Sequence, residues 1–532
     1  MAPFFPHGDN AGLAKDAADV TTEPEQAPAA ADPTLPERLR IAAELLEAVA
    51  ADASLLDALS PEERARWQRA LAFAYHPDPK GRRKRMKKEE RARTLAAKTH
   101  DDALLDATGI RSLRRKPVFS TPNYFPPEMP ADNIDDDEHA ADHGPVDLML
   151  PRPGTRLERH CYVCKRKYST LHHFYDQLCP ECGEFNFRKR AETADLRGRV
   201  ALLTGGRVKI GFQAGLKLLR AGCELIVTTR FPRDSAQRYA SEPDFAEWGT
   251  RLQIYGLDLR HTPSVETFCE EILATRSRLD FIVSNACQTV RRPPAFYQHM
   301  MALETDMARA AHGDAHALVH VLDEHLEHAP GLARAPELSQ LALLPEDVLV
   351  SAQLFPEGKL DADLQQVDLR EKNSWRLQLD EVSAVELLEV QLVNAVAPFV
   401  LNARLRQLMR ATPGRDKHIV NVSAMEGQFY RNFKTTRHPH TNMAKAALNM
   451  MTRTSAADYE SDGIHMNSVD TGWITDEDPA HIATRKQAEE RFHPPLDIID
   501  GAARIVDPII DGVNSGVHAW GQFIKDYKPT DW

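Results

Sequence analysis

The stretch Ala201-Leu202-Leu203-Thr204-Gly205-Gly206-Arg207-Val208-Lys209-Ile210-Gly211-Phe212 decides the fold of this chain. An apolar strand runs into a glycine-rich turn, and a helix opens directly after it. In a βαβ unit of this kind, backbone N–H groups and the positive end of the helix meet the pyrophosphate of a dinucleotide. The sequence therefore predicts a nucleotide-binding turn, whose contacting residues we expect to be Thr204, Gly205, Gly206, Arg207, Lys209, Ile210 and Gly211.

Strand and helix patterns alternate on both sides of this turn, from residue 196 to the C-terminus. The alternation predicts a Rossmann-like, doubly wound α/β fold, a parallel sheet with strand order 3-2-1-4-5-6-7. We expect one dinucleotide-binding domain over 196–528. Polar, His-rich sequence at 294–380 interrupts the pattern, and we expect this insertion to form a mostly helical cap over the active-site mouth.

The turn resembles the T-G-x-x-x-G-x-G motif of the short-chain dehydrogenase/reductase family, with Lys209 in place of the middle glycine. Further segments resemble the family in order and spacing: Asp258-Leu259, Ser284-Asn285-Ala286-Cys287, Asn394, the I-V-N-I-S-S-like 419–424, Lys445 and the 470–475 segment. The resemblance implies that Asp258 and Leu259 meet the adenine, and that Asn285 and Ala286 lie beside its ribose. It also implies that Lys445 holds the nicotinamide ribose, that Thr475 covers the nicotinamide, and that Asn394 holds a water of the proton relay.

The proton relay is where the resemblance weakens. Thr441 stands where the family has its catalytic tyrosine, and a threonine hydroxyl is a poor acid at neutral pH. Ala424 occupies the position of the substrate-orienting serine, and Ser423 is one residue off. Three interpretations stay open. Tyr430 or His440 can supply the proton from the long 426–440 loop, the domain can be a non-catalytic NADP-binding sensor or scaffold, or the reaction can need little proton assistance, as with an activated C=C or C=N bond.

The second strand indicates which nucleotide is bound. It ends Thr228-Thr229-Arg230, with no acid before Asp234 to accept hydrogen bonds from a ribose 2′-OH. Arg230 can instead fork onto a 2′-phosphate, with Arg207 and Lys209 as further cations. The sequence thus predicts NADP(H) as the cofactor.

Two C-x-x-C pairs precede the dinucleotide-binding domain. Cys161, Cys164, Cys179 and Cys182 have the spacing of a zinc ribbon, which we expect over 158–192. Four cysteines leave no open position for water, so the predicted Zn²⁺ is structural. We expect Cys179→Ser to loosen this ribbon while leaving nucleotide binding largely intact. A protein partner of the ribbon stays open.

The remaining sequence gives coarser expectations. We expect a disordered leader at 1–34, a helical region at 35–115 that contains a basic run of net charge +8 at 80–98, and a linker at 116–157. The net charge of −12 argues against nucleic acid as a partner. We find neither a secretory signal nor the ~20 apolar residues of a membrane helix. We therefore expect a cytoplasmic enzyme that contacts no membrane and acts on a small molecule of unknown identity; homo-oligomerisation stays open.

Overall fold

The computed structural model describes residues 34–75, 79–121, 154–305, 318–320, 334–349, 353–431 and 434–532. By its contacts the chain divides into two compact units, 1–94 and 95–532. The expected leader up to residue 33, and residues 122–153 of the expected linker, lie outside the described residues.

The first unit is helical where it is described. Helix α1 spans Leu35–Ala51 and α2 spans Pro61–Tyr75, and the long helix α3, Pro79–Asp106, begins in this unit. At the start of α2 the Ser60 N–H donates to Glu63, whose own N–H donates back to the Ser60 hydroxyl. The basic run lies within α3, and its described side chains are mostly exposed, as in a solvated helix.

The second unit opens with the cysteine pairs. After α4 (Gly109–Arg114), strands β1 (Gly154–His160) and β2 (Lys167–Thr170) form an antiparallel hairpin with Cys161 and Cys164 in its turn. Cys179 is the N-cap residue of α5 (Pro180–Ala191), so Cys182 lies in the first turn of that helix. The second pair therefore lies at the start of a helix. Strand β1 also begins inside the expected linker.

A nine-stranded sheet forms the centre of this unit. Its strands are β3 (Val200–Thr204), β4 (Glu224–Thr229), β5 (Leu252–Gly256), β6 (Phe281–Ser284), β7 (Val319–His320), β8 (Lys417–Ser423), β9 (Ile464–Asp470), β10 (Phe523–Lys525) and β11 (Lys528–Thr530). They lie in the order β11-β10-β9-β8-β6-β3-β4-β5-β7, eight parallel and β11 antiparallel. Without β7 and β11, the remaining strands follow the order 3-2-1-4-5-6-7 when they are numbered along the chain. The structure is a Rossmann-like α/β fold.

Helices cover both faces of the sheet. The remaining helices are α6 (Lys209–Arg220), α7 (Pro232–Ala240), α8 (Phe245–Trp248), α9 (Thr262–Thr275), α10 (Pro294–Thr305), α11 (Ala335–Leu338), α12 (Pro345–Leu349), α13 (Ala384–Gln391), α14 (Ala397–Ala411), α15 (Pro439–Ser461), α16 (Ala480–Arg485) and α17 (Ile498–Ser515). One apolar layer packs α6 and α17 against the sheet, and the other packs α9, α14 and α15 against the opposite face. The carboxyl ends of the central strands are left open between these layers, where a doubly wound sheet binds its ligand.

The hairpin β1–β2 and helix α5, residues 154–191, are called the cysteine module below. A third apolar cluster joins this module to the sheet domain. Cys161, Cys179 and Tyr175 of the module share it with Leu496 and Ile499. The ion pairs between Arg190 and both Asp497 and Asp500 are buried in the same contact. The module and the sheet therefore form one packed body, although the sequence predicts separate domains at 158–192 and 196–528.

The insertion departs from the mostly helical expectation. Its described residues include α10, the short α11 and α12, and an irregular segment from 353 to 373. Val319 and His320 pair with β5, so part of the insertion extends the sheet at its edge. Another part lies over the mouth of the site, as expected, because Tyr297, Asp361 and Asn373 line the cavity there. Trp375 stacks on His438, with ring centroids 3.9 Å apart, which is a packing contact.

One helical stretch differs from the expectation that the chain has no apolar segment of membrane-spanning length. Among the described residues, 384–411 is the stretch that is long and apolar enough to cross a bilayer, judged by length and composition alone. It consists of α13, a π-helical turn at Leu392–Val396, and α14. Leu401 and Leu405 of α14 are fully buried in the apolar layer beneath the sheet. The apolar face of this stretch is therefore used in the core of the domain.

Candidate functional site

The glycine turn has the backbone that the sequence predicts. Gly205 has φ +70°, and a side-chain carbon on Gly211 would lie 2.1 Å from the Gly205 carbonyl oxygen. Lys209, in place of the family's middle glycine, keeps a glycine-like φ of +53°. Its ammonium lies 3.9 Å from Asp363 of the insertion. The turn therefore keeps its shape although Lys209 carries a side chain.

A cavity of about 560 Å³ opens over this turn. It is bordered by the carboxyl ends of the central strands, by the insertion and by the segment after β9. Its lining includes all the predicted cofactor-binding residues except Thr204, Gly206 and Lys445. The cavity volume lies in the range of ligand and cofactor pockets.

Three hydrogen bonds join the turn to the residues directly after β6, and all of them involve predicted site residues. The Asn285 amide donates to the Thr204 carbonyl at 3.2 Å and to the Gly205 carbonyl at 3.1 Å. The Ala286 N–H donates to the Thr204 hydroxyl at 3.0 Å. Thr204 and Asn285 thus fix the floor of the cavity, and Gly206 packs behind it against Val227.

The cations around the cavity differ in their partners. Arg207 lines the cavity but is mostly buried, and its guanidinium lies 2.6 Å from Asp234. Arg260 pairs with Asp258 and Glu389, while Arg292 and Arg370 share Asp368. Within the described residues, Arg230 is the cavity-lining arginine that has no carboxylate within ion-pair distance; its guanidinium contacts Tyr297.

The adenine acid predicted from the sequence is already paired. Asp258 lies in the cavity wall with Leu259, and its carboxylate accepts from the Arg260 guanidinium at 2.6 Å. Burial opposes ionisation of Asp258, but the charge and hydrogen bonds of Arg260 hold its pKa below the usual range. Glu389 accepts from Arg260 at 3.0 Å and from Gln288 at 3.0 Å. This end of the cavity is therefore built from a fixed charge network.

Asn394 lies in the π-helical turn between α13 and α14. Its side chain is buried, accepts from the Gln288 N–H at 2.7 Å and donates to the Gln288 carbonyl at 3.2 Å. π-helical turns often mark functional positions in helices. Asn394 is thereby locked to the loop that follows β6, beside the cavity.

The other predicted catalytic residues lie outside the cavity lining. The Lys445 ammonium is buried and donates to the Val422 carbonyl at 2.7 Å. Ser423 and Thr441 are also buried, and within the described residues neither hydroxyl has a hydrogen-bond partner. Lys445 and Thr441 are four residues apart on α15, so they lie on one face of that helix. The lysine and two unpaired hydroxyls occupy the region where the family has its relay.

The two alternative proton donors differ from each other. Tyr430 is 94% exposed, so it does not enter the site in this structure. His440 is buried, and its Nε2 atom lies 3.5 Å from Glu386 of α13. Its neighbour His438 stacks on Trp375, and burial, together with His440, lowers the pKa of His438 to about 4. His438 is therefore neutral at physiological pH.

The four cysteines converge on one point. The Sγ atoms of Cys161, Cys164, Cys179 and Cys182 lie within 4.8 Å of one another, with 3.7 Å between Cys164 and Cys179. Zn–S bonds of 2.3 Å at tetrahedral angles place sulfur atoms ~3.8 Å apart. All four are free thiols, so the donor set fits a soft divalent metal.

This module also holds the segment that borders the cavity after β9. The Tyr162 hydroxyl, between the first two cysteines, accepts from the Trp473 N–H at 3.0 Å. Gln177 donates to the His493 carbonyl at 2.6 Å, and Arg114 donates to the Leu496 carbonyl at 2.7 Å. Thr475 lies between these anchors, lines the cavity and donates to Glu477. The segment over the cavity is thus fixed at both ends.

Comparison with known proteins agrees with this geometry. Residues 199–331 match the short chain dehydrogenase family, and residues 358–496 match a family described as enoyl-(acyl carrier protein) reductase. Uncharacterized protein R665 of Acanthamoeba polyphaga mimivirus is 33% identical over 384 residues, 70% of this chain and 74% of that protein. The chain belongs to the short-chain dehydrogenase family. By this membership it is an NAD(P)-dependent oxidoreductase.

Other relatives match shorter regions. The WW domain-containing oxidoreductase of Drosophila melanogaster is 38% identical over 96 residues, 17% of this chain and 23% of the fly protein. Among solved structures, a complex of Pseudomonas aeruginosa RhlG with NADP has 17% identity and a TM-score of 0.40, over 62% of this chain and 95% of RhlG. A metagenomic short-chain oxidoreductase in complex with NADP has 16% identity and a TM-score of 0.35, over 62% and 96% of the two chains.

Sequence reasoning missed several residues of this dehydrogenase site. Tyr297, Asp368 and Glu389 belong to the insertion or to α13, where no motif of the family applies. In the sequence, Tyr162 is only a residue between Cys161 and Cys164, and nothing there indicates its contact with Trp473. Residues such as these reach the site through tertiary packing, and a single sequence carries no signal for it.

Proposed function

We propose that this chain is an NADP(H)-dependent oxidoreductase with a modified proton relay. The observation that carries the proposal is Arg230, which lines the cavity at the end of β4 without a carboxylate partner among the described residues. The strand end offers no acid that would favour a ribose 2′-OH. A guanidinium at this position suits a 2′-phosphate, because it can donate two parallel hydrogen bonds to it.

Each part of the nucleotide would be bound by a different group of residues. The backbone N–H groups of the glycine turn and the start of α6 would hold the pyrophosphate. Arg230 would hold the 2′-phosphate, and Leu259 would pack beside the adenine. The bound nucleotide supplies or accepts a hydride. The segment around Thr475, fixed by the cysteine module, would exclude water from the nicotinamide.

Proton transfer is the modified part. Thr441 is too weak an acid to replace a phenol, and Tyr430 is too exposed. Ser423 and Thr441 are buried outside the cavity lining, so neither hydroxyl is placed to donate a proton to a substrate in the cavity. This arrangement suits an activated C=C or C=N substrate, whose reduction needs little proton donation at the moment of hydride transfer. His440 is the second candidate donor, supported by its burial beside Glu386.

The coenzyme assignment is tested by calorimetric titration of NADPH and NADH into the full chain. We expect NADPH to bind more tightly. Arg230→Ala should weaken NADPH by about a hundredfold while changing NADH less than about threefold, because hydrogen-bonded charge pairs carry this selectivity. Equal affinity of the unmodified chain for both nucleotides would show that Arg230 does not recognise the phosphate.

Turnover needs a separate test. NADPH oxidation should be followed with a panel that contains ketones, aldehydes, activated alkenes and imines. We expect turnover with the alkenes or imines in preference to the ketones. Tight nucleotide binding without turnover on any class would instead indicate a sensing or scaffolding role.

We also propose a structural Zn²⁺ at Cys161, Cys164, Cys179 and Cys182. The Sγ geometry supports it, and a four-cysteine site leaves no position for a catalytic water. Metal analysis of protein purified without chelator should find about one zinc per chain. Absence of zinc in fully reduced protein would refute this assignment.

We propose a cytoplasmic location, because seven free cysteines suit a reducing compartment. We propose a small-molecule substrate of unknown identity, with neither a membrane nor a nucleic acid as partner. A protein partner at the cysteine module and a homo-oligomer are both compatible with this proposal.

A further inference from the structure

The guanidinium of Arg230 is held by an aromatic residue of the insertion. Its Nη2 atom donates to the Tyr297 hydroxyl at 2.7 Å, and its central carbon lies 4.5 Å from the centre of the Tyr297 ring. The same carbon lies 5.6 Å from the ring of Phe231. Arg230 therefore has one defined position at the cavity wall, fixed by a hydrogen bond and two cation–π contacts.

We propose that Tyr297 determines coenzyme specificity by holding Arg230 in position for the adenosine 2′-phosphate. The Tyr297 hydroxyl also donates a hydrogen bond to that phosphate. This inference rests on the proposed function, because it deepens the NADP(H) assignment. Tyr297 is 7% exposed and lines the cavity. Its hydroxyl accepts from Arg230, so its own hydrogen remains available for donation.

The neighbouring charges explain why Arg230 needs this support. Four other arginines line the cavity: Arg207, Arg260, Arg292 and Arg370. Each of them is paired with the carboxylate of Asp234, Asp258 or Asp368. Arg230 has no such carboxylate among the described residues, so its guanidinium needs another contact to hold it at the cavity wall. The phenol of Tyr297 supplies that contact without neutralising the charge.

The insertion is anchored firmly enough for this role. Phe296, Tyr297 and Met300 of α10 pack with Phe231 and with Phe355 in one buried cluster. At the other end of α10, the Glu304 carboxylate accepts from the N–H groups of Arg233 at 3.2 Å and of Asp234 at 2.9 Å, and so caps α7. Helix α10 thus contacts Arg230 itself and holds the chain directly after it, from Phe231 to Asp234.

A coenzyme-selecting Tyr297 gives the insertion a role that the sequence does not predict. The sequence predicts a cap over the active-site mouth, which would select the substrate. The contacts of α10 instead lie at the end of β4, where the adenosine ribose of a doubly wound fold binds. The described residues of α10 therefore act on the coenzyme.

The test compares Tyr297→Phe with Tyr459→Phe, using two probes that lack the nicotinamide: adenosine 2′,5′-bisphosphate and adenosine 5′-monophosphate. Tyr459 is a matched control, because it is a buried tyrosine on α15 whose hydroxyl donates to the Asn402 carbonyl, remote from the cavity lining. Each variant keeps its ring, so packing is retained. Calorimetry measures the dissociation constants, and thermal unfolding verifies that each variant is folded.

We expect Tyr297→Phe to weaken the bisphosphate about tenfold and the monophosphate less than about twofold. Tyr459→Phe should change neither. In the Arg230→Ala background, Tyr297→Phe should cost less than in the unmodified chain, because the two residues act together.

Three results would overturn the inference. The first is that Tyr297→Phe leaves bisphosphate binding unchanged, and the second is that it weakens the binding of both probes equally. The third is that it weakens bisphosphate binding by the same factor in the Arg230→Ala background as in the unmodified chain. If the unmodified chain itself fails to prefer the bisphosphate, the NADP(H) assignment fails together with the inference. If the unmodified chain prefers it and Tyr297→Phe keeps that preference, the inference alone fails.

Discussion

The two ends of the coenzyme site differ in how closely they follow the family. At the adenosine end the glycine turn, Asn285 and Arg230 are in place, and they are fixed by hydrogen bonds and packing. At the proton-transfer end the tyrosine and the serine of the family are replaced by Thr441 and Ala424, and two buried hydroxyls lack partners among the described residues. Most of the residues predicted to bind the nucleotide therefore line the cavity, whereas two residues that the family uses for proton transfer are replaced.

This difference has a physical basis. Binding a dinucleotide depends mainly on backbone geometry and on one or two charges, so it tolerates new side chains such as Lys209 where the φ angle is kept. Proton transfer depends on the pKa of one group, and replacing a phenol by an aliphatic hydroxyl removes it. The proposed preference for activated C=C or C=N substrates over simple ketones rests on this difference.

The largest effect should come from Gly211→Ala. The new methyl carbon would lie 2.1 Å from the Gly205 carbonyl oxygen and 2.5 Å from the Asn285 amide, so the turn must open. We expect NADPH affinity to fall by at least about a hundredfold. Gly154→Ala is the matched control, since its nearest neighbour would lie 3.9 Å away. Near-normal NADPH binding by Gly211→Ala would mean that the turn does not hold the nucleotide.

The cysteine module should give the next largest effect. The sequence alone predicts that Cys179→Ser leaves nucleotide binding largely intact, but the module holds the segment over the cavity through Tyr162 and Gln177. We now expect Cys179→Ser to lose zinc and to weaken NADPH about tenfold. Tyr162→Phe should keep the zinc and weaken NADPH about threefold, through the lost bond to Trp473. Unchanged affinity in both variants would separate the module from the coenzyme site.

The free energy of unfolding should depend on pH by a few kcal/mol through Glu304, which anchors the insertion beside the end of β4. Burial raises the pKa of Glu304 to about 7. The folded state therefore holds this proton more tightly than the unfolded state, and the stability due to it is lost as pH rises from about 4.5 to about 7, by ~3 kcal/mol. Glu304→Gln should thus melt higher, relative to the unmodified chain, at pH 8 than at pH 5. A melting difference that is the same at both pH values would contradict this.

The smallest effect should come from Thr441→Ala. If Thr441 does not transfer the proton, its removal should change the rate of NADPH oxidation less than about threefold on any substrate that the panel identifies. His440→Gln, at the second candidate donor, serves as the comparison. A loss of more than about a hundredfold in Thr441→Ala would assign a catalytic role to the threonine, and the two ends of the site would then be equally complete.

Much of this fold could be predicted because its signals are local. The apolar run of β3, the turn after it and the alternation of strands and helices are encoded in consecutive residues, and in the structure β3 runs directly into the predicted turn. The thiol spacing likewise predicts that four sulfur atoms meet. The helix that begins at Cys179 could not be predicted, because the cysteine spacing carries no signal for the secondary structure that follows it.

The remaining features depend on residues that are distant in sequence. The role of Arg207 could not be predicted, because its partner Asp234 is 27 residues away and the burial of the pair follows from packing. The exposure of Tyr430 and the burial of His440 are decided by the path of one loop, for which the sequence has no periodic signal.

The sequence by itself determined the βαβ nucleotide turn, the class of sheet and the convergence of four thiols, because backbone conformation and ligand spacing are properties of short segments. Only the tertiary structure decided that Arg230 rests on Tyr297, that Arg207 is neutralised by Asp234, and that the cysteine module fixes the segment over the cavity. These contacts join residues 27 to 311 positions apart. Burial and charge pairing choose among such partners only when the whole chain has folded, so the details of the site come from its packing.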